Sequence, residues 1–310
     1  MEPSYLKTHK EGILQERIDT ALAILENCRL CPRHCGVNRL EGELGVCRTG
    51  REAVVSSYSP HFGEEDPLVG QQGSGTIFMT HCNLGCVFCQ NYEISHLSEG
   101  VKVSSSDLAQ MMLTLQRRGC HNINFVTPTH MVPQILEALQ EAIEGGLKVP
   151  LVYNCGGYEE VDTLRLLDGI FDIYMPDFKF WDSQVAERFC SAPDYAEKAC
   201  AAVKEMHQQV GDLTLDEQGI AQRGLLIRHL VMPEGLAGTR EIMRFLAKEV
   251  SKDTYVNVMS QYRPCGEAHN FPELRRPITA GEFREAVSMA QEEGIHRLDE
   301  RRLIQLFKWL

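Results

Sequence analysis

No apolar run in this 310-residue chain approaches the roughly 20 residues that a helix needs to cross a bilayer. The stretch from Met1 to Glu11 is polar and has no signal-peptide core, so a soluble, cytoplasmic protein is expected. No P-loop, no glycine-rich dinucleotide motif and no Ser-His-Asp order appears, which removes the usual carriers of nucleotide cradling and serine hydrolysis. Internal repeats and low-complexity segments are also missing. Basic residues are in the minority: 31 Lys and Arg face 43 Asp and Glu, a net charge of −12 that argues against generic nucleic-acid binding. Cysteine, in contrast, is plentiful. There are 12, and seven of them fall into two tight groups. In a chain of this length such grouping favours metal binding over disulfides.

Leu14, Ile18, Ala21, Leu22 and Leu25 recur at helical spacing and predict an amphipathic helix over about 13–27. A Cys-, Gly- and Arg-rich stretch follows from Cys28 to Arg51, then a loop carrying Pro60, Gly63, Pro67, Gly70, Gly73 and Gly75. Beyond it, six short apolar runs alternate with helical stretches: 76–79, 122–126, 150–153, 171–175, 225–231 and 255–259. Alternation of this kind predicts a parallel sheet with right-handed crossovers. The fold expected is α/β, a partial (β/α)6 barrel with a small N-terminal metal-stapled module and C-terminal helices. A doubly wound sheet has the same pattern and stays open. The expected division is an N-terminal helix at 1–27, a four-cysteine module and loop at 28–74, a catalytic core at 75–265 and a helical extension at 266–310. In that extension Thr279 and Glu282 form a capping box, and Leu303, Ile304, Leu306, Phe307 and Leu310 form a last apolar stripe that is expected to pack on the barrel.

The segment Cys82-Asn83-Leu84-Gly85-Cys86-Val87-Phe88-Cys89 carries three cysteines in C-x3-C-x2-C spacing, just after the first barrel strand. In an α/β barrel the chemistry belongs in such loops. Three thiolates can hold three corners of a [4Fe–4S] cluster and leave the fourth iron open. Structural zinc takes four protein ligands, so zinc here would require His81 or a remote cysteine.

This spacing, with Phe88 before the third cysteine, resembles the signature of the radical S-adenosylmethionine (SAM) enzymes. CNLGCVFCQN, Cys82 to Asn91, is similar to the corresponding segment of the pyruvate formate-lyase activating enzymes and their uncharacterised relatives. The resemblance spans Cys28 to about Arg263. It implies a [4Fe–4S] cluster on Cys82, Cys86 and Cys89, SAM chelated at the open iron, and reductive cleavage to a 5′-deoxyadenosyl radical that abstracts a substrate hydrogen. Oxidoreductase and lyase chemistry are both implied. The substrate would be a glycyl-radical enzyme, or alternatively another peptide or small molecule. A low-potential donor, flavodoxin or ferredoxin, is the implied partner.

The same resemblance assigns Phe88 to the adenine ring. Asn154 to Gly157 is similar to the activases' Asn-Gly turn, and Asp177-Phe178-Lys179 to their Asp-Leu-Lys motif. Lys179 is thereby implied at the SAM carboxylate and Asp177 at the adenosyl moiety. Arg228 to Pro233 is similar to their Arg-His-apolar-Pro run, with a structural ion pair for Arg228 as the alternative. The superfamily's Gly-Gly-Glu run is missing. Val126 to His130 stands there, so Thr129 or main-chain carbonyls would take the SAM amino group, with Thr129 as a helix cap the alternative. Arg263 stands near the position of a SAM-contacting histidine.

Cys28, Cys31, Cys35 and Cys47 supply enough thiolates for zinc or for a second, closed iron–sulfur cluster, and spacing does not choose between them. A non-enzymatic metal-binding or electron-transfer protein is the rival reading. Arg29, Arg33, Arg39, Arg48 and Arg51 surround these cysteines; they offset thiolate charge or, through Arg39 and Arg51, form a docking face for the acidic electron donor. Cys120, Cys155, Cys190, Cys200 and Cys265 are scattered and read as buried structural thiols, with Cys155 and Cys265 as candidate hydrogen-atom donors or metal ligands.

Overall fold

The computed structural model describes residues 1–299, and the Leu303–Leu310 stripe lies outside the described residues. The strands are β1 Ala53–His61, β2 Ser74–Met79, β3 Val101–Val103, β4 Ile123–Val126, β5 Leu151–Cys155, β6 Ile173–Pro176, β7 Thr214–Leu215, β8 Ala221–Leu230 and β9 Tyr255–Met259. The helices are α1 Ser4–Lys10, α2 Ile13–Ala23, α3 Asp66–Val69, α4 Tyr92–Ser95, α5 Ser105–Arg117, α6 Val132–Glu144, α7 Val161–Leu166, α8 Ser183–Cys190, α9 Tyr195–Val210, α10 Thr239–Phe245 and α11 Ala280–Glu292.

Strands β2, β4, β5, β6, β8 and β9 pair in parallel in that order. These are the six runs the sequence predicts. Among the described residues β9 pairs with β8 and not with β2, so the sheet stays open, as a partial barrel requires. β5 and β6 are buried at every position, as expected for parallel strands covered on both faces. One face packs α2, α5, α6 and α9 into the main core. On the other, Val152, Ile173, Met175 and Leu226 enclose Leu68 of α3. That short helix enters the concavity of the sheet, and beside it Glu65 accepts a 2.8 Å hydrogen bond from Asn257 of β9.

The sequence gives no hint of β1 and β3. β1 pairs antiparallel with β2, and its first residues also pair with β3. Ser57, Tyr58 and Ser59 are all exposed, which erases the alternation that marks a strand. Pro60 lies opposite Gly75, outside the part of β1 paired with β3, the free edge where proline does no harm. The predicted capping box of Thr279 with Glu282 opens α11, and a further one, Ser104 with Asp107, opens α5.

Gly157, after β5, has φ +80°, and a Cβ there would strike the Asp177 carbonyl and come within 2.9 Å of Tyr195 Oη. Gly156 has ordinary φ, and its Cβ would meet the Leu84 side chain at 3.3 Å and Lys179 Cε at 3.9 Å. Gly157→Ala is therefore expected to lose at least about 1–2 kcal/mol, and Gly156→Ala less than half of that. Equilibrium guanidinium unfolding measures both; equal midpoints for the two variants would contradict this account.

Candidate functional site

The cysteine loop leaves β2 through His81, whose φ of +72° turns the chain back over the strand ends. Both His81 nitrogens are engaged, Nδ1 with Thr49 Oγ1 at 3.3 Å and Nε2 with Ser98 Oγ at 3.0 Å. The ring is thus occupied and is no fourth ligand for the trio. Arg33 fastens the loop from outside. Its Nε and Nη2 donate to the carbonyls of Asn83 and Leu84 at 2.9 and 3.0 Å, and the same guanidinium donates to the carbonyls of Cys190 and Ser191 at the end of α8. Cys190 is thereby set against the trio, with its Sγ 3.3 Å from Cys86 Sγ. That neighbouring thiol, and then burial, hold the Cys86 thiol well above its ordinary pKa.

Cys82, Cys86 and Cys89 line one cleft of about 350 Å3 with Phe88, Asn154, Cys155, Asp177, Lys179 and Arg228. This is the lower end of the size range of small-molecule sites. The strand ends supply its charges. Asp177, after β6, receives Lys179 Nζ at 2.5 Å and Arg228 Nε at 2.8 Å, and Arg228 Nη2 donates to Asn154 Oδ1 at 2.7 Å. Burial alone would raise the Asp177 pKa; Arg228 and Lys179 together outweigh it and keep the carboxyl below the ordinary value. Tyr195 of α9 locks the arrangement. Its Oη accepts from Lys179 N and lies 2.9 and 3.0 Å from the carbonyls of Gly156 and Asp177, which share its proton. Two polar atoms at the cleft have no partner, Asn154 Nδ2 and Glu65 Oε2. Glu64 and Glu65, which sequence reasoning passed over, bring carboxylates to the cleft from the loop before α3. Phe88 is buried, edge-on to Phe180 at 5.7 Å.

Thr129 is the exception among the expected site residues. It is fully buried, away from the cleft lining, and donates to Glu159 Oε1 at 2.7 Å. Nor does it cap α6, whose N-cap is Met131. The cleft receives Thr127 instead, at φ +62°. The main chain bends there, and that bend turns Thr129 inward. Cys265 does not line the cleft, whereas Cys155 does.

Cys28, Cys31, Cys35 and Cys47 line a second, enclosed cavity together with Arg39 and His130. The docking role considered for Arg39 and Arg51 does not hold for Arg39, while Arg51 stays part-exposed. Arg39 is 1% exposed, donating to the Gly50 carbonyl and, at 3.9 Å, to Cys28 Sγ. Arg51 forms a two-pronged pair with Glu137. Among the described residues no carboxylate pairs with Arg39; the group facing it is sulfur. Burial pushes the Cys31 thiol up, and Cys47 and Cys28 are close enough to add to that. His130, a residue that sequence reasoning named only as part of a departed motif, is buried. Its Nε2 lies 2.9 Å from the Thr80 carbonyl, so Nε2 carries the proton and Nδ1 the lone pair. Burial drives its pKa down to about 3. As the side chains stand, no three His, Cys, Asp or Glu among the described residues converge on a metal position. The fit rests on donor chemistry: three soft thiols on one cleft, and four thiols with a buried guanidinium round one cavity.

Parallel strands with a three-thiol loop at the C-terminal end of the first, above a charged cleft, define an α/β barrel class whose chemistry sits on strand-end loops. A model of the radical SAM superfamily matches residues 76–217. The chain is 33% identical over 296 residues to an uncharacterised protein of Methanocaldococcus jannaschii, covering 92% of this chain and 80% of the relative. The chain belongs to the radical SAM superfamily, and membership implies an enzyme that uses a [4Fe–4S] cluster and SAM. Among the described residues no helix is long and apolar enough to cross a membrane.

Glu159, close to Cys31 and Cys155, is 1% exposed and receives Thr129 Oγ1 and, at 2.9 Å, Tyr153 Oη. Burial raises its pKa from 4.5 to about 7, the hydrogen bonds opposing. The folded state thus holds this proton more tightly than the unfolded chain, and stability from this group falls as pH climbs from about 4.5 to about 7. At about 1.4 kcal/mol per unit the change amounts to a few kcal/mol. Glu159→Gln is expected to flatten the decline, measured by urea unfolding across that window; an unchanged slope would contradict it.

Proposed function

We propose that Cys82, Cys86 and Cys89 hold three irons of a [4Fe–4S] cluster in the cleft and that SAM binds beside them at the fourth. When bound, the pair supplies a 5′-deoxyadenosyl radical by reductive cleavage, and that radical takes a hydrogen atom from a substrate. One observation carries this reading: the three thiols share their cleft with Asp177, Lys179, Arg228 and Asn154, brought together from three strand ends. Lys179 is a buried cation paired with Asp177, which the carboxylate of SAM can replace, while Arg228 is shared between Asp177 and Glu64. Asn154 Nδ2 is an unused donor and Glu65 Oε2 an unused acceptor for the polar ligand. Phe88 and Leu84 give the cleft an apolar wall. The Cys28–Cys47 module binds a second metal centre, zinc or iron–sulfur, and the electron donor is a flavodoxin or ferredoxin, as is usual in the superfamily.

The recipient of the radical is a peptide or small molecule. The strand-end motifs Asn154–Gly157 and Asp177–Lys179 support a glycyl-radical protein as the first candidate. Formation of a glycyl radical on a co-purified partner, seen by EPR only with SAM and reductant, tests it.

After anaerobic reconstitution with iron and sulfide, SAM and dithionite are expected to yield 5′-deoxyadenosine, and Cys86→Ala is expected to yield none above background. Product at the level of the variant would end this reading. Lys179→Ala is expected to weaken SAM binding by about 10- to 100-fold, the usual loss for a charged hydrogen bond, with cluster iron unchanged. Calorimetric titration of the reconstituted protein measures it; a change under about twofold would remove Lys179 from the SAM site.

A further inference from the structure

We propose that His130 is a ligand of the second metal centre, its Nδ1 completing a three-sulfur, one-nitrogen set with Cys28, Cys31 and Cys47. The inference rests on the reading of the Cys28–Cys47 module as a metal site and assigns it a ligand far away in sequence.

Three observations carry it. The first is an orphaned lone pair. His130 is 1% exposed, lines the enclosed cavity of the four cysteines, and its Nδ1 has no hydrogen-bond partner. An acceptor buried without a partner costs about 1–3 kcal/mol, whereas a metal ion in that cavity would take the lone pair. The other nitrogen is already held, since Nε2–H donates to the Thr80 carbonyl at 2.9 Å. A main-chain carbonyl on the distal N–H is what orients metal-binding histidines and fixes their tautomer.

The second observation is charge. Four thiolates round a divalent centre leave a net −2, and three thiolates with a neutral imidazole leave −1. Two guanidiniums line the cavity: Arg39, buried and without a carboxylate partner among the described residues, and Arg33, part-exposed, whose hydrogen bonds all go to main-chain carbonyls. Of the two, Arg39 donates to sulfur, and its single charge matches the three-thiolate set. Uncompensated charge in an enclosed site is expensive, so the balanced set is favoured.

The third is the placement of the thiols. Cys28, Cys31 and Cys47 are 7–8% exposed. Cys35 is more exposed than these three. Cys35 is therefore the outer thiol, next to the inner set and outside it.

The test uses the full chain with Cys82, Cys86 and Cys89 changed to alanine, so that only the second site binds metal. Zinc and iron are counted by mass spectrometry, and X-ray absorption is recorded at the edge of whichever metal is found. For zinc the expected shell is three sulfurs at about 2.3 Å and one nitrogen at about 2.0–2.1 Å. For an iron cluster, pulsed EPR of the reduced centre is expected to show coupling to one imidazole nitrogen. His130→Ala is expected to lose the metal at least tenfold more readily to a chelator. His130→Cys restores a ligand at the same place, guards against loss of the fold, and is expected to retain the metal with four sulfurs. Cys35→Ala is expected to keep the shell of the parent. A four-sulfur shell with His130 in place, or metal lost in Cys35→Ala and kept in His130→Ala, overturns the inference and leaves the metal reading standing. Absence of metal from every form overturns both.

Discussion

The guanidinium of Arg33 is the constraint on which the rest of the site depends. It donates to four main-chain carbonyls, two in the cysteine loop and two at the end of α8. A carbonyl has no side chain to rotate away, so these bonds fix backbone against backbone. The four-cysteine module, the Cys82–Cys89 loop and Cys190 are thereby locked into one unit. Arg suits this role because its planar fork offers five donors in fixed directions, which an ammonium does not. The orientation of the trio toward the cleft is in this sense set from outside the barrel.

Around that unit the protein manages buried charge in two ways. At the strand ends, opposite charges are matched side by side: Asp177 sits between Lys179 and Arg228, and the pairs are shaped by Tyr195 bridging two loops. In the module, a single guanidinium faces sulfur. The first arrangement is satisfied before any ligand arrives, and a ligand must compete for Lys179 with Asp177. The second is incomplete as protein alone, because neutral thiols do not balance a buried cation. The two cavities therefore differ in what they demand, one admitting a ligand and the other requiring a counter-charge.

What was legible in the sequence follows from distance along the chain. The trio was readable because its three thiols lie within eight residues, and the six barrel strands because parallel strands are short buried runs. The strand-end residues Asn154, Asp177, Lys179 and Arg228 were placed by the resemblance of their short motifs to those of the activases. Thr129 was misjudged by two residues, since the bend at Thr127 decides which side chain meets the cleft and positive φ at a threonine has no pattern signal. Arg33, Cys190, Tyr195 and His130 were beyond reach: their partners are set by tertiary packing, and nothing in local spacing brings position 190 to position 86. β1 escaped because three consecutive residues within it, Ser57, Tyr58 and Ser59, are exposed.

The reach of Arg33 also has a consequence in time. Two of its acceptors, at Cys190 and Ser191, lie 157 and 158 residues downstream. At about 5–20 residues per second of synthesis, the N-terminal thiols wait roughly 8–30 s for the segment that completes their enclosure. Throughout that interval Cys28, Cys31, Cys35 and Cys47 are on a nascent chain, open to metal donors and to oxidants alike. The order of the chain thus leaves these four thiols uncovered through that stretch of translation, until the segment around Cys190 arrives.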